Sequence, residues 1–112
     1  MPALDTNALV VSMQKAASGV LGKDVSTLRG FAQSQLQAIA QQSALVAAGV
    51  LDGSITPDLR DYFLDSLEEM ARSFANTLAG LMTVVIEQVW NALVKTIWDA
   101  IGKATGLTLV AP

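Results

Sequence analysis

Residues 56–103 read TPDLRDYFLDSLEEMARSFANTLAGLMTVVIEQVWNALVKTIWDAIGK, and the reading of this stretch decides the fold. Thr56 followed by Pro57 is a helix start: a hydroxyl able to cap, then a proline whose fixed φ and missing N–H suit the first helical position. Asp58 and Asp61 follow where carboxylates favour the positive end of the helix dipole. From there to Ile101 there is no further proline and one glycine, Gly80, which costs only about 1 kcal/mol relative to alanine. The next strong stop is Gly102, with Gly106 behind it. The stretch therefore predicts one helix over residues 57–102, roughly 70 Å long at about 1.5 Å per residue. Globular helices average about 12 residues, and one this long needs a partner along its whole length.

The character of that helix changes partway. Leu59, Phe63, Leu67, Met70 and Phe74 recur at spacings of three and four, with Asp61, Asp65, Glu68 and Arg72 on the opposite, solvated face. After Phe74 the apolar surface widens. Leu78, Leu81, Met82, Val85, Ile86, Val89, Trp90, Leu93, Val94, Ile97, Trp98 and Ile101 cannot share one narrow stripe. They are the candidate interface toward another copy or toward lipid. The polar remainder is a single seam that includes Glu87, Asn91, Lys95 and Asp99.

Composition bounds the rest. The chain has 112 residues, of which 52% are hydrophobic and 15% charged, against a globular norm of about 25% charged. It is read as a single domain, residues 1–112. Ten acidic and seven basic residues leave a net charge of −3, and without a basic patch nucleic-acid binding has no electrostatic basis. There is no cysteine and no histidine. This excludes a disulfide framework and thiolate metal sites, and removes the commonest general base and transition-metal ligand. Met1-Pro2-Ala3-Leu4-Asp5 lacks a charged segment followed by an apolar one, so no secretory signal is expected. Virion and cytoplasm both remain open as locations, as does association with a membrane.

In chain order, Asp5 or Thr6 can cap a first helix over about 5–21, with Leu9, Val10, Met13, Ala16, Ala17, Val20 and Leu21 as its apolar stripe. Gly22 predicts a break or kink, with Asp24 recapping. A second helix is expected over about 25–51. Its core stripe is Leu28, Ala32, Leu36, Ile39, Val46 and Val50, widened by Phe31 and Leu45, while Gln33, Gln37 and Gln41 mark the wet side. The small residues Ala40, Ala44, Ala47, Ala48 and Gly49 predict close packing on the next helix. Residues 52–56 form a turn, with Gly53 suited to the left-handed position after a helix, so the flanking helices are antiparallel neighbours. The tail over 103–112 is apolar and can either dock in extended form or fray.

Two all-α architectures fit. One is a long antiparallel helical hairpin, its first arm kinked or broken near Gly22. The other is an elongated three-helix unit. Two helices cannot cover the broad face after Phe74, so the hairpin demands self-association or a membrane.

Candidate chemistry is sparse. Residues 52–69 carry six acids against Arg60 alone, a local balance of −5 that leaves +2 elsewhere; a solvated face explains this better than a metal or acid–base site. Glu87 lies in the most apolar stretch, with Asn91 and Lys95 along the same seam. An ion path through an oligomer has this form, but a register-setting or solvent-exposed seam is the simpler reading. A di-iron carboxylate site would need histidines. Trp90 and Trp98 fit interface anchors better than a bilayer belt. The Leu78–Ile97 window is long enough to span a bilayer, yet charges near a helix centre cost about 2.5–3.5 kcal/mol each. No nucleophile elbow or phosphate loop is present, so no catalytic residue, cofactor or metal ligand is assigned.

At Thr56-Pro57-Asp58-Leu59-Arg60-Asp61-Tyr62-Phe63-Leu64-Asp65-Ser66-Leu67-Glu68-Glu69-Met70-Ala71-Arg72-Ser73-Phe74, and again at Gln88-Val89-Trp90-Asn91-Ala92, the chain resembles small uncharacterised helical proteins encoded in bacteriophage and prophage regions. The resemblance spans about the last two-thirds of the chain, carries no diagnostic motif, and implies a virion, assembly or host-envelope role. The expectation is thus a non-enzymatic structural protein that self-associates through residues 78–101. Its partners would be itself and other virion or assembly proteins. The alternative is a membrane-inserting pore or lysis factor.

Overall fold

The computed structural model describes residues 4–107; the outer part of the apolar tail, 108–112, lies outside the described residues. The chain is all-α: α1 (Thr6–Leu21), a 3-10 turn (Val25–Thr27), α2 (Gln33–Asp52), α3 (Pro57–Thr77) and α4 (Thr83–Thr105). Several expected boundaries hold. Asp5 caps α1, its carboxylate accepting from the Ala8 N–H at 3.1 Å, and α1 ends at Gly22. Gly53 ends α2, and Pro57 occupies the first turn of α3. Thr56 precedes it, though its hydroxyl makes no capping bond.

Two expectations are corrected. The second helix begins at Gln33 rather than near residue 25. Asp24 caps only the short turn, accepting from the Ser26 N–H and hydroxyl, and residues 28–32 form a connection. The larger correction concerns the long helix over 57–102, which is two helices. Α3 stops at Thr77, whose hydroxyl donates back to the Phe74 carbonyl at 2.6 Å, and α4 starts again at Thr83.

The two connections share a pattern. Thr27-Leu28-Arg29-Gly30 and Thr77-Leu78-Ala79-Gly80 lie fifty residues apart, each with its glycine at positive φ, +88° and +79°. They also touch. The Ala79 N–H donates to the Arg29 carbonyl at 2.9 Å, and a Cβ on Gly30 would fall 1.9 Å from the Thr77 carbonyl oxygen. Each connection turns its chain through a helical hairpin, α1–α2 and α3–α4, and the clasp joins the hairpins at one end. The Asp52–Pro57 turn joins them at the other.

The result is a four-helix bundle. Α1 packs on α2 and α4, α3 packs on α2 and α4, and α2 meets α4 across the core. The extents are 42 × 24 × 20 Å, far short of a roughly 70 Å hairpin. Energetics explain the break. Ending a helix leaves a few backbone groups to re-pair at about 1 kcal/mol each. Folding α4 back buries Val89, Leu93, Val94, Ile97, Trp98 and Ile101, each contributing about 1.5–3 kcal/mol. The core they join includes Met13 and Ala17 of α1, Leu36 and Ile39 of α2, and Leu67 and Phe74 of α3. Phe31 reaches in from the first connection and meets the Phe74 ring edge-on at 5.9 Å.

Candidate functional site

The twelve residues expected to face another copy or lipid mostly face their own chain. Leu78, Val89, Leu93, Val94, Ile97, Trp98 and Ile101 are buried in the core. Leu81, Val85, Ile86 and Trp90 are half-buried, and Met82 is exposed at the second connection. The broad apolar flank therefore has its partners within the chain: α1, α2 and α3 surround α4, which a continuous helix over 57–102 would have prevented. The polar seam Glu87, Asn91, Lys95 and Asp99 is exposed throughout and runs along the outside of α4.

The tryptophans part ways. Trp98 belongs to the core. Trp90 bridges α4 to α3: its indole N–H donates to the Glu68 carbonyl at 2.9 Å, and the Arg72 guanidinium lies 4.2 Å from its ring centre. The acidic stretch is a solvated face, with Asp58, Asp61, Asp65 and Glu69 exposed. Glu68 is half-buried, and its carboxyl is pushed up, first by desolvation and then by Asp65. Among the described residues no three or more carboxylates converge where an ion could sit. No described helix is long and apolar enough to cross a membrane. An open groove of about 410 Å³ separates the start of α1 from the end of α4, with Asp5, Ser12, Asp99 and Lys103 on its walls.

The surface that stands out is one the sequence reading did not select. Between Arg29 and Asp52 the chain carries no ionisable side chain. On α2 the exposed positions Ser34, Ala38, Gln41, Leu45, Ala48 and Asp52 follow at alternating spacings of four and three. These are outward-facing positions of the helix, and apart from Asp52 none in this stripe carries a charge. Leu45, expected to widen the core, is instead 66% exposed at its middle. The inward face is already filled: Leu36, Ile39, Ala40, Val46 and Ala47 are buried. Gly49 lets Ile55 of the turn approach closely, since a Cβ there would meet its Cδ1 at 2.6 Å. The stripe is therefore spare.

Its two ends differ electrically. Ala32 stands at the start of α2 and offers no capping side chain; the Gln35 N–H donates to the Ala32 carbonyl at 3.1 Å, which leaves the Gln33 and Ser34 N–H groups without a capping side chain at the positive dipole end. At the other end Asp52 places a carboxylate on the helix's own negative terminus, against the usual preference. The Ser54 hydroxyl and N–H beside it hold that carboxyl below its ordinary value. The signal available in the sequence was the charge-free run itself, since an outward face in water ordinarily carries charge. No family model matches the chain, and no curated protein or solved structure matches it either.

Proposed function

We propose that this protein is a non-enzymatic structural unit that assembles with itself, and that α2 rather than α4 supplies the contact. The observation that carries the reading is the outer stripe of α2, exposed and uncharged over five positions from Ser34 to Ala48, with Leu45 its one large apolar side chain. Burying such a stripe against protein desolvates no ion, whereas the outer faces of α3 and α4 would each bring carboxylates out of water. The resemblance to prophage-encoded helical proteins adds a setting to this reading, a part in building a particle.

Light scattering coupled to size exclusion, in plain buffer over a range of protein concentrations, tests it. The expected result is a discrete mass above that of one chain, rising to a plateau without detergent. A mass that stays at one chain throughout overturns the reading. Release of a dye from phospholipid vesicles at similar concentrations would replace it with membrane insertion.

A further inference from the structure

We infer that the α2 stripe docks on the α2 stripe of a second copy, antiparallel, about a two-fold axis level with residue 43. The inference rests on the self-assembly reading above and adds the face, the direction and the register. It follows from how the stripe is written. Antiparallel helices pair positions whose numbers sum to a constant. Of the possible sums, 86 leaves no stripe position unmatched. Ala38 then faces Ala48 of the other copy, Gln41 faces Leu45, and Ser34 faces Asp52, each occurring twice by symmetry.

These layers are complementary one by one. The alanine pairs let the helix backbones approach closely, and Leu45 packs along the aliphatic stem of Gln41. At the ends each Asp52 arrives at the start of the other copy's α2, beside the Ser34 hydroxyl and the Gln33 and Ser34 N–H groups, which no side chain caps. A carboxylate sitting on its own helix's negative end thereby reaches a positive one. Parallel pairing loses this, because it would set Asp52 against Asp52. Pairing through α3 would stack Asp61, Asp65 and Glu69 on themselves.

Size sets the strength. A helix of 20 residues is about 30 Å long, and a contact of one such helix on another, through mostly small side chains, does not exceed the about 1,000 Å² that a stable specific interface clears. The pair therefore forms and separates reversibly, and is measured at up to about 1 mM protein.

The chain has no cysteine, so introduced ones report the register directly. In the antiparallel register, the double variant Ala38→Cys with Ala48→Cys oxidises to a covalent dimer. Neither single variant does, because its two thiols would lie about 15 Å apart along the helices. Alongside it, Leu45→Lys, at an exposed site that leaves the helical circular dichroism unchanged, raises the dissociation constant at least tenfold. Asp52→Asn raises it threefold or more, and added salt narrows the gap to wild type. Cross-linking by either single variant, or a dimer indifferent to Leu45→Lys, overturns the docking mode while the self-assembly reading stands. A wild-type chain that remains single at every concentration removes both.

Discussion

Α2 and α4 hold equivalent places in the fold. Each follows a Thr-Leu-x-Gly connection, each is the second arm of a hairpin, and the two meet across the core. Their surfaces are opposites. Α4 buries a wide apolar flank and shows water an ordinary mixed seam of Glu87, Asn91, Lys95 and Asp99. Α2 buries smaller side chains, Ala40, Ser43, Ala47 and Gly49 among them, and shows water a stripe without charge until Asp52. The difference teaches that the width of an apolar face does not identify an interface. Width counts neighbours, and α4 finds three inside its own chain. The chemistry of what remains outside is the better guide.

The comparison can be broken at the core first. Phe74→Ala removes a fully buried ring and is expected to cost about 3–5 kcal/mol. Leu45→Ala, on the outer stripe of α2, should change the stability of the single chain by less than about 0.5 kcal/mol. Urea unfolding of both variants at low concentration checks this; a large loss at Leu45 would mean the stripe is already covered within the chain.

The connections come next. At Gly30 a Cβ would collide with the Thr77 carbonyl, while at Gly80 it would meet open space. Gly80→Ala should cost about 1–2 kcal/mol for the left-handed backbone alone. Gly30→Ala adds a clash to that strain, for a total of about 2–4 kcal/mol. Equal costs would show that the clasp between the connections does not hold the hairpins together. Trp90→Phe sharpens the role of α4, losing the indole donor to Glu68 and weakening the contact with Arg72. About 1–2 kcal/mol is expected by thermal or urea unfolding.

The smallest effects concern pH. The Ser26 hydroxyl, then its N–H, hold the Asp24 carboxyl below its ordinary 3.8. A depressed acid contributes stability that is present above its unfolded pKa and fades as pH falls through the folded value. Asp24→Asn should therefore flatten the acid limb below about pH 4 in unfolding curves taken across pH. Glu68 has the opposite sign. Its raised pKa means the ionised form opposes folding at neutral pH, and that opposition is relieved as pH falls through a value above its ordinary 4.5. Glu68→Gln should raise stability slightly at pH 7 and lose that advantage in acid.

Much of the fold was legible in the sequence. Asp5 as a cap, the end of the first helix at Gly22, the turn around Gly53 and the start at Pro57 each follow from one residue's local chemistry. That is why they survive without tertiary context. The break over residues 78–82 was not found. Gly80 by itself costs a helix only about 1 kcal/mol, and local reasoning lets so small a penalty pass. The missing clue was its recurrence: the same Thr-Leu-x-Gly stands at 27–30, where a break was already expected nearby. The candidate site was missed for a related reason. A glutamine- and alanine-rich face looks like plain solvated helix until its lack of charge is set beside the exposed carboxylates of α3 and α4.

By itself, then, the sequence determined the all-α class, the helix starts that single residues dictate, and an excess of apolar surface that had to be covered. Tertiary structure alone decided where that surface went. A helix break worth about 1 kcal/mol is set by a balance of burial across the whole chain. Once α4 folds back, its neighbours take up its apolar flank, and α2 is left with the stripe that nothing in the chain covers.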